Sequence, residues 1–368
     1  MDKVNFDPKL NKLVASDSRN CIGCKLCMQG CPMLDEFAEN PKDLLKSLDK
    51  DQVYSWDLPY SCMLCGYCEQ VCPKGISFKD IFFNMRKLLV SKNGGNIPSE
   101  VKASSTNFHQ NFSFSKIFTS PIANLNSDIV FFPGCALLAD NPKLVDKIYT
   151  YLKSIYPGIG FWNACCAKPT KYLGREDKFT ERMKLLQKEY RPKGVKRLIT
   201  ACQNCTITFD QSFNDLETIP IYNILAENFP DHAINKFSET NTTINIHDPC
   251  PSRYDESLQK SARILAEKLG FVVEELKFSK QKTICCSAGG MVMQTAPEIG
   301  IKHMKRRSSE GDKPMLTYCK ECVSKLGSRR KISHLLDLIF LDKDQAFKYK
   351  EYSTIKSWVN RFKSKRLV

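Results

Sequence analysis

The chain has 368 residues, of which 42% are hydrophobic, and a formal net charge of +15 at pH 7. This length supports two or three domains with hydrophobic cores, so disulfides are not needed as a substitute for burial. The N-terminal segment MDKVNFDPKLNKLVAS lacks an apolar signal region, and no stretch approaches the roughly 18 apolar residues of a membrane span. We therefore expect a soluble protein, either cytoplasmic or peripheral at the inner face of a membrane.

Eighteen cysteines without a secretory signal indicate metal binding or catalysis in a reducing compartment, with structural disulfides as the weaker alternative. Bound iron–sulfur clusters would also lower the positive charge, because a [4Fe–4S] cluster with four thiolates carries about −2 or −3. The raw charge is therefore weak support for nucleic-acid binding, and no nucleic-acid partner is expected.

The first hundred residues contain two cysteine runs, CIGCKLCMQGCP from Cys21 and CMLCGYCEQVCP from Cys62. Both have C-x2-C-x2-C-x3-C-P spacing, which is typical of two-cluster ferredoxins, where the fourth cysteine of each run binds the other cluster. The predicted ligands of one cubane cluster are Cys21, Cys24, Cys27 and Cys72, and those of the second are Cys62, Cys65, Cys68 and Cys31. Two zinc sites are the alternative, although four-cysteine zinc sites usually consist of separated C-x2-C pairs.

The insert between the runs, LDEFAENPKDLLKSLDKDQ, has helical periodicity, and IFFNMRKLLVSK from Ile81 predicts a further helix. We predict a helical ferredoxin domain over residues 1–93 that conducts electrons and contains no substrate site. The segment 94–128 is rich in Gly, Asn, Ser and Pro without a sustained period, so it is predicted to be a linker whose phenylalanines pack along a surface.

The other ten cysteines form two sets of five that repeat after about 115 to 120 residues. Each half has a single cysteine, then an adjacent pair, then C-x2-C. The β-rich runs DIVFF, KRLIT, TINIH and PMLTY end at or just before a cysteine, and NPKLVDKIYTYLKSIY and ESLQKSARILAEKLG predict helices. We predict two α/β domains, 129–240 and 241–340, whose thiols converge at the carboxyl ends of the strands, where open α/β sheets place ligands.

Five thiols are one more than a cubane cluster or a tetrahedral zinc ion uses, and this doubled pattern resembles the paired CCG domains of the heterodisulfide reductase family. The family's relatives include iron–sulfur subunits of glycolate, lactate and anaerobic glycerol-3-phosphate dehydrogenases. The resemblance implies an α+β multidomain chain, with a helical ferredoxin domain before two pseudo-symmetric CCG domains, and a noncubane [4Fe–4S] cluster in each half. The ligands that it implies are Cys135, Cys165, Cys166, Cys202 and Cys205 for the first set, and Cys250, Cys285, Cys286, Cys319 and Cys322 for the second set.

The sequence departs from this family beside the predicted ligands. The glycine after the cysteine pair is Ala167 in the first half and Ser287 in the second, and Pro251 stands where relatives often have a histidine. These changes remove no ligand, but they put the match of the substrate pocket in doubt, because groups beside a cluster set access and potential. His247 is a candidate proton donor and Lys168 a candidate for stabilising thiolates, with ordinary structural roles as the alternative.

Two redox functions fit this pattern. In the first, an organic disulfide is cleaved between the noncubane clusters with electrons from the ferredoxin domain. In the second, the chain is an electron relay for a dehydrogenase of a 2-hydroxy acid or glycerol phosphate. No G-x-G-x-x-G motif follows a predicted strand, so a flavin in either case belongs to a partner. Expected partners are a flavoprotein or other redox subunit, with a membrane subunit as a further candidate. A zinc scaffold or nucleic-acid protein is the non-enzymatic alternative.

The segment 341–368 is predicted to be a basic tail. It is expected to form a solvated helix face, and docking to an acidic partner or an anionic membrane is the alternative. From Gln345 to Val368 it has one acidic residue, Glu351, and seven basic residues, Lys348, Lys350, Lys356, Arg361, Lys363, Lys365 and Arg366.

Overall fold

The computed structural model describes residues 3–240, 242–348 and 353–367. These residues form two compact units, each assembled from segments that are far apart in the sequence. The first unit contains the residues up to Phe108 together with Pro169–Thr180 and Gln281–Glu310, and the second contains His109–Lys168, Glu181–Lys280 and the residues from Gly311 onward. The domain, linker and tail boundaries expected from the sequence stay predictions.

The N-terminal part of the chain is mainly helical. In chain order its elements are β1 (Val4–Asn5), α1 (Pro8–Asn20), α2 (Pro32–Phe37), α3 (Pro41–Asp51), β2 (Val53–Tyr54), α4 (Asp57–Tyr60), α5 (Tyr67–Gln70), α6 (Phe78–Lys92) and α7 (Ser104–Phe112). The helices predicted in the insert and after the second run are present as α3 and α6. Helix α7 lies in the predicted linker, and the local sequence did not indicate it.

The first half of the repeat alternates strands and helices. Its elements are β3 (Ile129–Phe132), α8 (Cys135–Asp140), α9 (Pro142–Ile155), β4 (Gly160–Phe161), α10 (Lys168–Tyr172), α11 (Glu176–Tyr190), β5 (Arg197–Thr200), α12 (Gln203–Asp210), β6 (Glu217–Pro220) and α13 (Ile221–Glu227). The four strands form a parallel sheet in the order β4-β3-β5-β6.

The second half has the same strand arrangement. Its elements are β7 (Thr243–His247), α14 (Glu256–Lys268), β8 (Val272–Glu274), α15 (Val292–Thr295), α16 (Pro297–Ser308), β9 (Met315–Thr317), α17 (Lys320–Leu326), β10 (Ile332–His334), α18 (Leu335–Phe340) and α19 (Thr354–Lys363). Its parallel sheet has the order β8-β7-β9-β10, which matches β4-β3-β5-β6 strand for strand. The predicted repeat is therefore visible in the sheet topology.

The long helix between the first two strands of each half, α9 in the first and α14 in the second, begins in the same way. Asn141 caps α9 by accepting a hydrogen bond from the amide of Leu144 at 3.2 Å, and Asp255 caps α14 through the amide of Leu258 at 2.9 Å. Such side chains satisfy amides that have no partner inside the helix. Matching caps fix the start of corresponding helices in both halves.

The two sheets share one hydrophobic core within the second unit. It includes Phe131 and Ile199 from the first sheet and Ile246 and Leu316 from the second. The hydroxyl of Tyr222, on α13, donates to the carbonyl of Tyr318 at 2.9 Å, and thereby links the first half to the second. The halves of the repeat thus fold as one body.

The first unit is held together by a buried arginine on α6. Arg86 is fully buried and lies 4.7 Å from the centre of the Tyr60 ring. Its guanidinium donates four hydrogen bonds to main-chain carbonyls that come from three separate segments of the unit. The acceptors are Pro59 (2.9 Å), Cys62 (2.6 Å), Tyr172 (2.7 Å) and Gly290 (2.8 Å).

Within the described residues, we find no helix that is both long and apolar enough to cross a membrane.

Candidate metal centres

The two cysteine runs surround two cavities in the first unit. The fourth cysteine of each run lies with the first three of the other run, as the crossed pattern predicts. The first cavity is lined by Cys21, Cys24, Cys27 and Cys72, and the second by Cys31, Cys62 and Cys65, while Cys68 contributes to both. The structure therefore brings all eight predicted ligands together in two groups.

The two runs have the same backbone shape around these cavities. In the first run Gly23 and Lys25 have positive φ angles of 73° and 61°, and in the second run Leu64 and Gly66 have 52° and 75°. These residues occupy equivalent positions of the C-x2-C-x2-C motif. Left-handed residues curl the chain so that its amides point inward, and the amide of Leu64 lies 3.3 Å from the sulfur of Cys62.

The thiols of these groups oppose one another's ionisation. Burial raises the pKa of Cys27 to about 12, and the nearby charges of Cys68, Cys21, Cys72 and Cys24 add to the effect. Burial and the charges of Cys65 and Cys62 raise the pKa of Cys31 well above its usual value. Crowded buried thiols of this kind fit a cationic metal core, which coordinates thiolates and offsets their repulsion. The donor set therefore suits an iron–sulfur cluster in each cavity.

The first set of five cysteines lies at the carboxyl edge of the first sheet. Cys135 begins α8 just after β3, Cys165 and Cys166 follow β4, and Cys202 caps α12 just after β5. Parallel strands end at the same edge, so their following loops meet there. A thiol–thiol hydrogen bond joins Cys135 to Cys165. Two others join Cys205 to Cys166 and to Cys202. Because Cys165 and Cys166 are adjacent in the chain, all five thiols lie close together.

The thiols of the first set differ in acidity. The hydrogen bond from Cys135 lowers the pKa of Cys165 to about 6 despite complete burial. The same bond, with burial, raises the pKa of Cys135 well above its usual value. Metal ligation requires the thiolate form, so a thiol whose pKa is lowered is suited to bind a metal.

A glycine gives the first set room to close. Gly134 has a φ of 83°, and a Cβ atom at this position would lie 3.1 Å from the Cβ of Cys202 and 3.3 Å from the sulfur of Cys205. The turn that carries Cys135 therefore passes directly against the C-x2-C pair.

The second set is divided between the two units. Cys250, Cys319 and Cys322 belong to the second unit, where Cys250 follows β7 and Cys319 caps α17. These positions correspond to Cys135, Cys202 and Cys205. Cys285 and Cys286 are buried in the segment Gln281–Glu310, which belongs to the first unit.

The turn before Cys250 is anchored by a buried carboxylate. Asp248 is fully buried and accepts two hydrogen bonds from Arg263 at 2.7 and 2.9 Å. It also accepts one from the hydroxyl of Tyr318 at 2.8 Å and one from the amide of Lys280 at 2.6 Å. This network fixes the end of β7 and hence the direction in which Cys250 leaves the sheet.

The other residues singled out in the sequence lie close to these sets. His247 is the last residue of β7, is fully buried, and has a ring nitrogen within 4.8 Å of the Cys322 sulfur. Lys168 is buried and begins α10, two residues after Cys166. Their roles as proton donor and charge stabiliser stay predictions.

Sequence reasoning missed three polar side chains beside the thiols. Gln110 is buried on α7 and its amide nitrogen lies 3.8 Å from the Cys165 sulfur. Arg361, counted as part of a solvated tail, is buried on α19 and acts electrostatically on Cys135 and Cys165. His303 is buried on α16 and lines the second ferredoxin cavity. Each comes from a segment without a cysteine, so no motif indicated it.

Comparison with known families identifies the same modules. A 4Fe-4S dicluster domain matches residues 17–76, and a cysteine-rich domain of the CCG family matches twice, over 129–210 and 244–327. The resemblance inferred from the cysteine spacing is thus confirmed, and both domain types support iron–sulfur clusters as cofactors.

Three known relatives are similar to this chain over about two thirds or more of its length. An uncharacterized iron–sulfur protein of Methanococcus maripaludis is 26% identical over 79% of this chain and 63% of its own length. One subunit of the fumarate reductase (CoM/CoB) of Methanothermobacter marburgensis is 23% identical over 79% of this chain and 63% of its own length. One subunit of the dihydromethanophenazine:CoB–CoM heterodisulfide reductase of Methanosarcina barkeri is 24% identical over 66% of this chain and 64% of its own length. The chain therefore spans less than two thirds of the length of these relatives.

Proposed function

We propose that this chain, which belongs to the iron–sulfur proteins that join a dicluster ferredoxin domain to two CCG domains, is a heterodisulfide-reductase-type oxidoreductase subunit. Its two cubane clusters are bound by the crossed runs, and its two noncubane [4Fe–4S] clusters by the first and second sets. The observation that carries the proposal is the first set, in which five cysteines from three loops lie at the carboxyl edge of one parallel sheet. Four thiols suffice for zinc or a cubane, whereas the fifth suits an irregular cluster.

The reaction supported best is reduction of a disulfide. Two electrons and two protons cleave one S–S bond and give two thiols, RSSR′ + 2e⁻ + 2H⁺ → RSH + R′SH. When bound, the noncubane clusters supply single electrons and a site for the sulfur atoms. The ferredoxin domain delivers the electrons one at a time, and a redox partner supplies them.

The experiment is anaerobic purification followed by metal analysis and spectroscopy. Four clusters of four irons predict roughly sixteen iron atoms per chain. Cys166→Ser should alter one noncubane signal in electron paramagnetic resonance spectra and leave both ferredoxin signals unchanged. Cys27→Ser is the matched control, which should alter a ferredoxin signal alone. Zinc with little iron would refute the proposal.

Turnover is tested on the fully loaded protein. A reduced dye as donor and a panel of organic disulfides as acceptors should give dye oxidation at two electrons per disulfide. Absence of turnover by a protein that carries all four clusters would refute disulfide reduction while leaving the cluster assignment intact.

A second candidate function, an electron relay in a dehydrogenase complex, is favoured by the burial of three of the five cysteines of the first set. Cys165, Cys166 and Cys205 are each at most 3% exposed. Electron transfer needs no open path to the cluster, whereas a disulfide must reach it. The relay predicts co-purification with a flavoprotein whose acceptor reduction stops when this subunit is removed; activity of the isolated chain on disulfides would contradict it.

A further inference from the structure

The helix α19 carries a buried positive charge beside the first set. Arg361 is 1% exposed, although its neighbour Lys363 on the same helix is exposed. Its Nη1 donates to the hydroxyl of Ser113 at 2.7 Å, and its guanidinium lies 4.9 Å from the centre of the Trp358 ring. The side chain is therefore held in one place by a hydrogen bond and an aromatic face.

Most of the hydrogen-bonding capacity of this guanidinium is unused within the described part of the chain. Nε and Nη2 of Arg361 are buried there without a hydrogen-bond partner. A buried charge without compensation is costly, and buried ions in proteins are normally paired. The structure therefore calls for a negative group close to Arg361.

The helix is docked so that this charge faces the first set. Asn360 donates to the carbonyls of Ala139 and Asp140 at 2.9 and 3.0 Å, which fixes α19 on α8. Helix α8 begins with Cys135 itself. Ser113, which accepts the hydrogen bond from Arg361, follows Gln110 by three residues, and the amide nitrogen of Gln110 lies 3.8 Å from the Cys165 sulfur, so Arg361 is docked on two segments that reach the first set.

Aromatic side chains surround Arg361 and reduce the screening of its positive charge by water. The rings of Phe112 and Phe118 lie 5.9 and 4.5 Å from that of Trp358, and His109 lies 5.0 Å from it. Burial and the Arg361 charge lower the pKa of His109 to about 4, so this neighbour is neutral at physiological pH. In such apolar surroundings a charge acts more strongly than at the surface.

We propose that Arg361 is a tuning residue for the first noncubane cluster, whose reduction potential it raises by stabilising the more negative, reduced form. This inference rests on the proposed function, since it requires a cluster on the first set. Helix α19 lies outside the repeat, so its charge breaks the symmetry between the two halves. The first cluster is then the better electron acceptor of an otherwise similar pair.

The test is a redox titration of the noncubane signals by electron paramagnetic resonance, on the full chain loaded anaerobically. Arg361→Met should lower the potential of one noncubane cluster by at least a tenfold change in its ratio of reduced to oxidised form, about 59 mV for a one-electron couple. Arg361→Lys, which keeps the charge, should retain most of the wild-type potential. Lys363→Met, on the exposed face of the same helix, is the control and should change the ratio less than about twofold.

Each outcome decides the inference. Equal potentials for Arg361→Met and Lys363→Met would overturn it. Loss of the cluster in Arg361→Met but not in Arg361→Lys would support it. The two replacement side chains are similar in size, and the main difference between the variants is the positive charge. Loss in both variants would overturn it, since the residue would then be needed for its shape. A wild-type protein with no noncubane signal sensitive to Cys166→Ser would refute the proposed function itself, whereas an intact signal that Arg361→Met does not shift refutes this inference alone.

Discussion

Replacement of Arg86 by methionine should destabilise the first unit far more than an ordinary surface change. Methionine replaces the apolar stem of the side chain, but it leaves four main-chain carbonyls without their donor, those of Pro59, Cys62, Tyr172 and Gly290. A buried group that loses its partner costs about 1–3 kcal/mol. Removing the buried charge itself offsets part of this loss. We expect a net destabilisation of about 3 to 5 kcal/mol, the range found when one partner of a buried charged interaction is deleted.

The natural control lies next to it on the same helix. Lys87 pairs with Glu176 at 3.5 Å on the surface of the first unit, and Lys87→Met should cost less than about 1 kcal/mol. Because loss of clusters makes unfolding irreversible, the assay is the rate of cluster bleaching at fixed urea under anaerobic conditions. Cys62 is a proposed ligand of a ferredoxin cluster, so ferredoxin signals should disappear first in Arg86→Met. Equal bleaching rates for the two variants would refute the reasoning.

Three further substitutions test the CCG halves. Ala167→Gly should raise the free energy of unfolding by about 1 kcal/mol, because alanine is strained at a φ of 59°. Ala164→Gly is the control and should lower the free energy of unfolding. Equal midpoints of urea unfolding for the two variants would contradict this prediction. Gly134→Ala should remove the iron of one cluster, about four of sixteen atoms, since its Cβ would press on the first set; unchanged iron content and spectra would show that the turn can move. Asp248→Asn should cost about 3 to 5 kcal/mol by breaking its pairing with Arg263; a loss below about 1 kcal/mol in urea unfolding would rule out a strong contribution.

The parts of this molecule that could be predicted are those in which neighbouring residues carry the signal. Cysteine spacing indicated the dicluster ferredoxin domain and both CCG domains, and hydrophobic periodicity indicated α3, α6, α9 and α14. The β-rich runs are strands β3, β5, β7 and β9, and the parallel sheets follow from their alternation with helices. In each case the deciding pattern lies within a short window of sequence.

The parts that could not be predicted depend on contacts between distant segments. Helix α7 lies in a stretch without clear periodicity, and it is held by packing of Phe112 against Trp358 and by Arg361 bonding to Ser113 just beyond its end. Gly290 follows the second cysteine pair by four residues, and the local sequence gives it no particular role. A Cβ there would lie 2.6 Å from the Cα of Met63, because the chain passes directly over the second run. Such close approaches leave no trace in local composition.

The departures of Ala167 and Ser287 from the glycine of the family take on a different meaning in the structure. Both residues have positive φ angles, 59° and 80°, the region that glycine enters most easily. In each half the amide of this residue hydrogen-bonds to the first sulfur of the cysteine pair, Ala167 to Cys165 and Ser287 to Cys285 at 3.3 Å. The left-handed turn is what aims that amide at the sulfur, so the family's glycine serves the backbone.

From the sequence alone, these two positions put in doubt whether the substrate pocket matches that of the family. Both side chains are at most 1% exposed, so neither faces an open pocket. Alanine and serine pay a conformational cost of about 1 kcal/mol at such an angle, yet they keep the amide in place. The substitutions therefore bear on the stability of each set, and specificity has to be sought in other residues. Ala167→Gly should accordingly raise stability without changing the preference among disulfides, and a changed preference would return the substrate argument to this position.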